Sequence, residues 1–309
     1  MLFGISITGC AYNSSSEGSN SSTSSALTIS DSSKSRDESS QSKSNVDFGG
    51  IDSKEINILS QKDYNSGSNP VINVNQGKST LNTDAWETNR VIYGNLDKFN
   101  RTTTNTAFLE ARNHADSALR VEQNIQPTGW HYNHGSTQIW NRGHEIAYSI
   151  SKGIDQDGNY NPNGISGDQN NPKNLFTQSA FSNQKLQTIY EEKVRNAIIS
   201  GNKVIFQATP IFRGSELMAR GVNLQAKSTD GSLNFNVYIF NVQPGIVFKY
   251  ADGSASKDDD MKVPTPNDSS SFESSSDESE TESSGSTFDD SNVKDRYESF
   301  KSKIQGLLN

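Results

Sequence analysis

Apolar residues are confined to one stretch of this chain, and that confinement limits where it can fold. They gather between residues 86 and 250, while both flanks are dominated by Ser, Asn, Gly and charged groups. Only 31% of the 309 residues are hydrophobic, below the usual globular share, so a packed core has to be built from the middle. That stretch is a comfortable size for one core, and composition argues against a second. Charge divides the same way. Residues 1–80 carry 6 basic and 8 acidic groups, residues 81–250 carry 16 and 14, and residues 251–309 carry 6 and 14. The net charge of −8 therefore belongs to the tail, and the candidate core is slightly basic. A polyanionic ligand is not excluded by the overall acidity.

The flanks have their own organisation. The single cysteine, Cys10, allows no internal disulfide. Ile7-Thr8-Gly9-Cys10, after the short apolar run 2–7, resembles the cleavage and lipidation site of bacterial lipoproteins. It departs from that pattern in having no Lys or Arg before it and a leader shorter than the roughly 15–30 residues of a signal peptide. No run approaches the ~18 apolar residues of a membrane span. Residues 11–45 are mostly Ser and cannot bury enough surface to offset their ordering entropy, which predicts a flexible tether. Residues 253–290 are rich in Ser, Asp and Glu and read as a disordered tail. After them Val293, Tyr297, Phe300, Ile304 and Leu307 fall at helical spacing. The division expected is a leader with lipobox (1–10), tether and linker (11–80), a folded domain (81–252), an acidic tail (253–290) and an amphipathic helix (291–309).

Within the domain, Arg90-Val91-Ile92-Tyr93 and Ala107-Phe108-Leu109 read as short strands. Gln138-Ile139-Trp140 reads as a strand running into a turn and a helix over about 144–151. Residues 153–172 form a long Gly/Asn/Asp loop. Residues 186–200 have helical spacing, with Gly201 as the stop. Residues 203–212, 223–227 and 233–240 read as strands, with Asp230-Gly231 as a hairpin turn between the last two.

The residues that can carry chemistry lie between 141 and 195. Hydrolysing a phosphodiester needs a base to activate water, positive charge on the phosphoryl oxygens and stabilisation of the leaving oxygen; a metal ion with an open position supplies the last two. Asn141-Arg142-Gly143-His144 alone is a weak signal, because a lone histidine is more often structural. It is followed by Asn171-Pro172-Lys173-Asn174-Leu175-Phe176-Thr177-Gln178, by Asn183-Gln184, and by Tyr190-Glu191-Glu192-Lys193-Val194-Arg195.

In this order the pieces resemble the DNA/RNA non-specific endonucleases of the ββα-metal (His-Me finger) fold, most nearly the DNA-entry nuclease branch exported by Gram-positive bacteria. The likeness covers about residues 86–252 and includes Gln225-Ala226-Lys227-Ser228, Phe235-Asn236-Val237 and Asn241-Val242-Gln243-Pro244-Gly245. It implies an α+β fold: a ββα-metal nuclease core with a mixed, mainly antiparallel sheet and flanking helices. It further implies that His144 is the general base and that Asn183 directly ligates one divalent ion, Mg²⁺ with Mn²⁺ able to substitute. Glu191 would act on that ion through water, Asn174 would orient the site, and Arg142 and Arg195 would contact the phosphate. The substrate implied is DNA, with RNA a further candidate. The place implied is the outer face of a bacterial membrane, through lipid on Cys10, or the medium. One departure is Asn141, where the family motif begins with Asp; Asn keeps the shape and one acceptor.

Spacing adds two constraints. Glu191 and Arg195 are four apart, so on a helix they share a face. Asn183 and Glu191 are eight apart, about 12 Å of rise on a straight helix, so Asn183 is expected at or before the helix start. Other candidates are weaker. His131 and His134 have no acids or cysteines beside them for a metal site, and Asp155, Asp157 and Asn159 read as a polar turn. Arg101 is either a phosphate contact or a solvated surface arginine. The competing class is a catalytically silent surface protein that captures nucleic acid; a nuclease toxin is a third reading.

Overall fold

In the computed structural model, which describes residues 47–115, 121–135, 137–163 and 169–265, alternate side chains of one central strand serve two cores. On β6 (Val204–Ile211), Val204, Phe206 and Ala208 face one cluster, while Ile205 and Ile211 face two others. Such period-two alternation with apolar groups on both faces is the pattern of a strand covered on both sides. The sheet runs β1 (Val71–Asn73), β8 (Asn234–Phe240), β7 (Gly221–Ser228), β6, β3 (Asn105–Leu109) and β2 (Arg90–Ile92). Each described pairing in it is antiparallel, so the sheet expected to be mixed and mainly antiparallel is antiparallel throughout. The β7–β8 turn contains Asp230-Gly231, with Gly231 at φ +79°, where glycine carries no Cβ penalty.

One face is covered by α2 (Thr188–Ile199), which ends before Gly201 at φ +91°. Leu186, Tyr190, Val194 and Ile198 point into the main core against Phe206, Leu224 and Phe235. Fully burying side chains of this kind stabilises by about 1.5–3 kcal/mol each, and Ile198→Ala is expected to cost about 2–5 kcal/mol.

The other face is covered by residues 47–81, which the sequence assigned largely to a linker. They hold α1 (Ser53–Ser60), with Asp52 as its N-cap, and β1. The misassignment has a physical cause: the segment docks through polar groups as much as apolar ones. Buried Gln207 accepts from the Ile51 N–H (2.9 Å), and buried Gln225 accepts from the Thr80 N–H (2.9 Å). Order also extends past 252, through β9 (Ile246–Lys249) and β10 (Ser254–Lys257) to residue 265. Cys10, the tether to residue 45, the acidic stretch from 266 and the terminal helix lie outside the described residues. No described helix is long and apolar enough to cross a membrane.

A second unit sits on the α2 face. β4 (Trp140–His144) and β5 (Leu175–Ser179) pair antiparallel, His144 opposite Leu175, and the chain then enters the helical stretch leading to α2. Asn241 ties this hairpin to the sheet, accepting from Ser179 N–H (2.7 Å) and donating to the Thr177 and Ala219 carbonyls. The helix expected over 144–151 does not form; only a 3-10 turn, Tyr148–Ile150, is present. Asn174 braces this turn. Its backbone oxygen takes the Glu145 N–H (2.9 Å), and its side chain pairs with both the N–H (2.9 Å) and the C=O (3.0 Å) of Ile146. Of these, the Ile146 C=O is the group a helical bond would need; the two N–H groups would lie in the unpaired first turn of such a helix.

Candidate active site

The strand–strand–helix unit brings the separated sequence pieces to one cleft of about 540 Å³, lined by His144, Arg142, Asn141, Asn183 and Glu191 among others. His144 ends β4, and Gly143 before it has no room for a side chain. A Cβ there would stand 2.2 Å from the Gln178 Oε1 and 2.8 Å from its Cβ. Gln178 crosses over that glycine from β5 and donates to Ser182 Oγ (3.2 Å) and Gln187 Oε1 (3.0 Å). Gln187 donates in turn to the His144 carbonyl (2.6 Å) and to Glu191 Oε1 (2.7 Å). Both glutamines are fully buried. One amide therefore couples the backbone of the histidine to the carboxylate of the helix, and its position is set by a second amide from the opposite strand.

The imidazole has a definite orientation. His144 Nε2 lies 3.2 Å from the Gln169 carbonyl and 2.9 Å from the Gln123 side-chain amide. The Gln123 amide nitrogen lies 3.4 Å from the same Gln169 carbonyl, so the two neighbours hold one ring nitrogen together and fix the place of the imidazole in the cleft.

The helix entry is irregular. Ser182–Gln187 is π-helical before α2 begins. Asn183 thus lies inside the helical stretch and not before it, as the spacing argument expected, but the stretch is not a regular α-helix through both residues. The wide turn changes the phase between them, and Asn183 and Glu191 line the same cleft. Burial pushes the Glu191 carboxyl above its ordinary range, against the pull of the Gln187 hydrogen bond and the Arg195 charge. An amide oxygen and a partly buried carboxylate in an open cleft are hard donors that suit a divalent ion keeping several waters.

The other expected residues separate. Arg142 reaches the cleft, donating from Nε to the Ile125 carbonyl and standing 4.3 Å over the Trp130 ring. Arg195 pairs with Glu192 at 3.8 Å and touches Glu191 only through its field. Asn174 is buried behind the cleft and shapes the turn after His144. Arg101 is neither of the things expected: it is buried, clamped by Asp97 and by the carbonyls of Gly214 and Glu216. His131 meets the Asp252 carbonyl (3.0 Å) and the Trp140 ring. Asp155 forms the polar turn, accepting from the N–H groups of Asp157 (3.0 Å) and Asn159 (2.8 Å). Sequence reasoning gave no role to Gln123, Gln169, Gln178 or Gln187. The one signal available was the four-residue spacing of Gln187 and Glu191, which on a helix places an amide beside an acid.

Residues 78–230 match the family model for DNA/RNA non-specific endonuclease. Two solved structures of NucA from Streptococcus agalactiae, one with magnesium ion bound and one with no metal bound, are similar at 26% identity. The match covers 66% of this chain and 96% or 95% of those chains, with TM-scores of 0.55 and 0.54. Fold and motif order coincide with the family match on the same stretch, and residues 78–230 form a DNA/RNA non-specific endonuclease domain.

Proposed function

We propose that the protein is an exported, sequence-indifferent endonuclease that hydrolyses DNA, and RNA as a second substrate, with one divalent ion and His144 as general base. The observation that carries this reading is that His144, Asn183 and Glu191 line one cleft, with Gln187 bonded both to the His144 carbonyl and to the Glu191 carboxylate. The His144 imidazole would take a proton from the attacking water. Asn183 would hold the ion directly and Glu191 through water. Mg²⁺ is the ion favoured, with Mn²⁺ able to replace it; the oxygen donors and the magnesium ion in the similar NucA structure support the choice. When bound, the ion supplies positive charge to the phosphoryl group and stabilises the leaving oxygen.

The rest of the site positions these groups. Gln187 holds Glu191 and the His144 backbone in one frame. Arg142 faces the cleft and Arg195 lies one turn beyond Glu191, where guanidinium groups suit phosphate oxygens. Asn141 lies beside Arg142 in the cleft lining, so we expect an active enzyme despite the departure from the family motif. Export, with lipid on Cys10 holding the domain to the outer face of the membrane, rests on the Ile7-Thr8-Gly9-Cys10 sequence. Plasmid cleavage by the full chain in Mg²⁺ or EDTA, beside Asn183→Ala, tests the reading. Metal-dependent degradation lost in the variant supports it. Binding without cleavage in Mg²⁺ or Mn²⁺ would make it a capture protein.

A further inference from the structure

Half of the exposed large hydrophobic side chains on the described surface line the cleft. Four large hydrophobic side chains stand exposed, Ile58, Ile92, Val121 and Tyr132, and the last two line the cleft with His144 and Asn183. Tyr132 is 58% exposed. It is nevertheless held: its hydroxyl accepts from the Gln126 side chain, and its ring stands at 80° to that of Trp130, 6.3 Å away. Trp130 also lines the cleft, with the Arg142 guanidinium stacked on it. A phosphodiester and a hydrated metal ion want donors and charge, so an apolar wall answers to some other part of a substrate. Charge in the cleft is also sparse. Among the described lining residues Arg142 is the one permanent cation, and its Nε is engaged by the Ile125 carbonyl. Binding through phosphate neutralisation alone would be weak and strongly salt-dependent.

We propose that Tyr132, backed by Trp130, is a stacking platform for an unpaired nucleobase beside the scissile phosphate, so that the enzyme takes single-stranded or locally opened nucleic acid in preference to intact duplex. This rests on the nuclease reading above and adds a substrate class to it. In a duplex the base faces are already stacked and cannot reach the wall. An unpaired strand offers them freely, and every base has a face, so stacking adds affinity without reading sequence.

The test uses the full chain carrying His144→Ala, to prevent cleavage. Its affinity is measured for a labelled 12-mer DNA strand, for the same strand with abasic residues, and for the 12-mer duplex, each at low and moderate salt. The base-bearing strand is expected to bind roughly ten-fold tighter than the abasic one, by a ratio that persists as salt rises. Adding Tyr132→Ala should erase that ratio, and Tyr132→Phe should keep it. Equal affinity for base-bearing and abasic strands, or a ratio untouched by Tyr132→Ala, overturns the platform while cleavage by the parent chain leaves the nuclease reading standing. No binding by the His144→Ala chain and no cleavage by the parent would overturn both.

Discussion

Glu145, the residue after the candidate base, is fully buried, and neither of its carboxylate oxygens has a well-formed protein hydrogen bond. Burial pushes its carboxyl well above the ordinary value of about 4.5, opposed more weakly by the Thr102 side chain and the Asn105 backbone amide. The unfolded chain keeps the ordinary value. Between the two values the folded state holds a proton that the unfolded state has lost, so stability is greatest below the unfolded value and falls as pH rises toward the folded one. The slope in that window is about 1.4 kcal/mol per pH unit. Glu145→Gln keeps the shape and removes the titration. Its stability relative to the parent should therefore climb as pH rises above 5, by at most about 1.4 kcal/mol per unit, or roughly 3–6 °C in Tm for a domain of this size, until the folded-state value is passed. Thermal melts of both chains at pH 5, 6 and 7 in EDTA read this directly, and the difference cancels the other raised carboxyl, Glu191. A Tm difference that is the same at all three pH values would refute the reasoning.

Three further outcomes follow from the site. Gln187→Ala removes the donor shared by His144 and Glu191 and should lower kcat roughly 10–100-fold with a smaller change in KM; unchanged kcat would remove Gln187 from the positioning role. Asn174→Ala strands the N–H and C=O of buried Ile146 and should destabilise by about 2–4 kcal/mol, read as a urea midpoint; Asn174→Asp, which sets a buried carboxylate oxygen against the Ile146 C=O, should lose at least as much. Asn183→Ala should weaken Mn²⁺ binding, followed by the paramagnetic resonance of the free ion, by at least ten-fold; unaltered binding would place the ion elsewhere.

Much of the fold was legible because long strands carry their own signature. Residues 204–211, 221–228 and 234–240 combine β-branched and aromatic side chains with a clear hairpin turn, and they fold as read. The ordered motifs likewise located the cleft. What was not legible depended on side-chain hydrogen bonds between distant residues. Nothing near 144–151 announces that Asn174, about thirty residues later, will pair with both backbone groups of Ile146. Nothing in residues 47–81 announces partners on Gln207 and Gln225. The π-helical entry at 182–187 shifts side chains without changing the apolar spacing that marks α2. The buried amides Gln178 and Gln187 look like ordinary polar residues until the strand and helix meet.

As general base, His144 would remove a proton from water, and chemical rescue reads that step. His144→Gly opens a space of imidazole size at the end of β4, and the rate of plasmid cleavage in Mg²⁺ is then followed against added imidazole. The account predicts that cleavage, lost in the variant, returns in proportion to the unprotonated imidazole present. A folded variant that cleaves as fast as the parent without imidazole, or one that imidazole never revives, would contradict it.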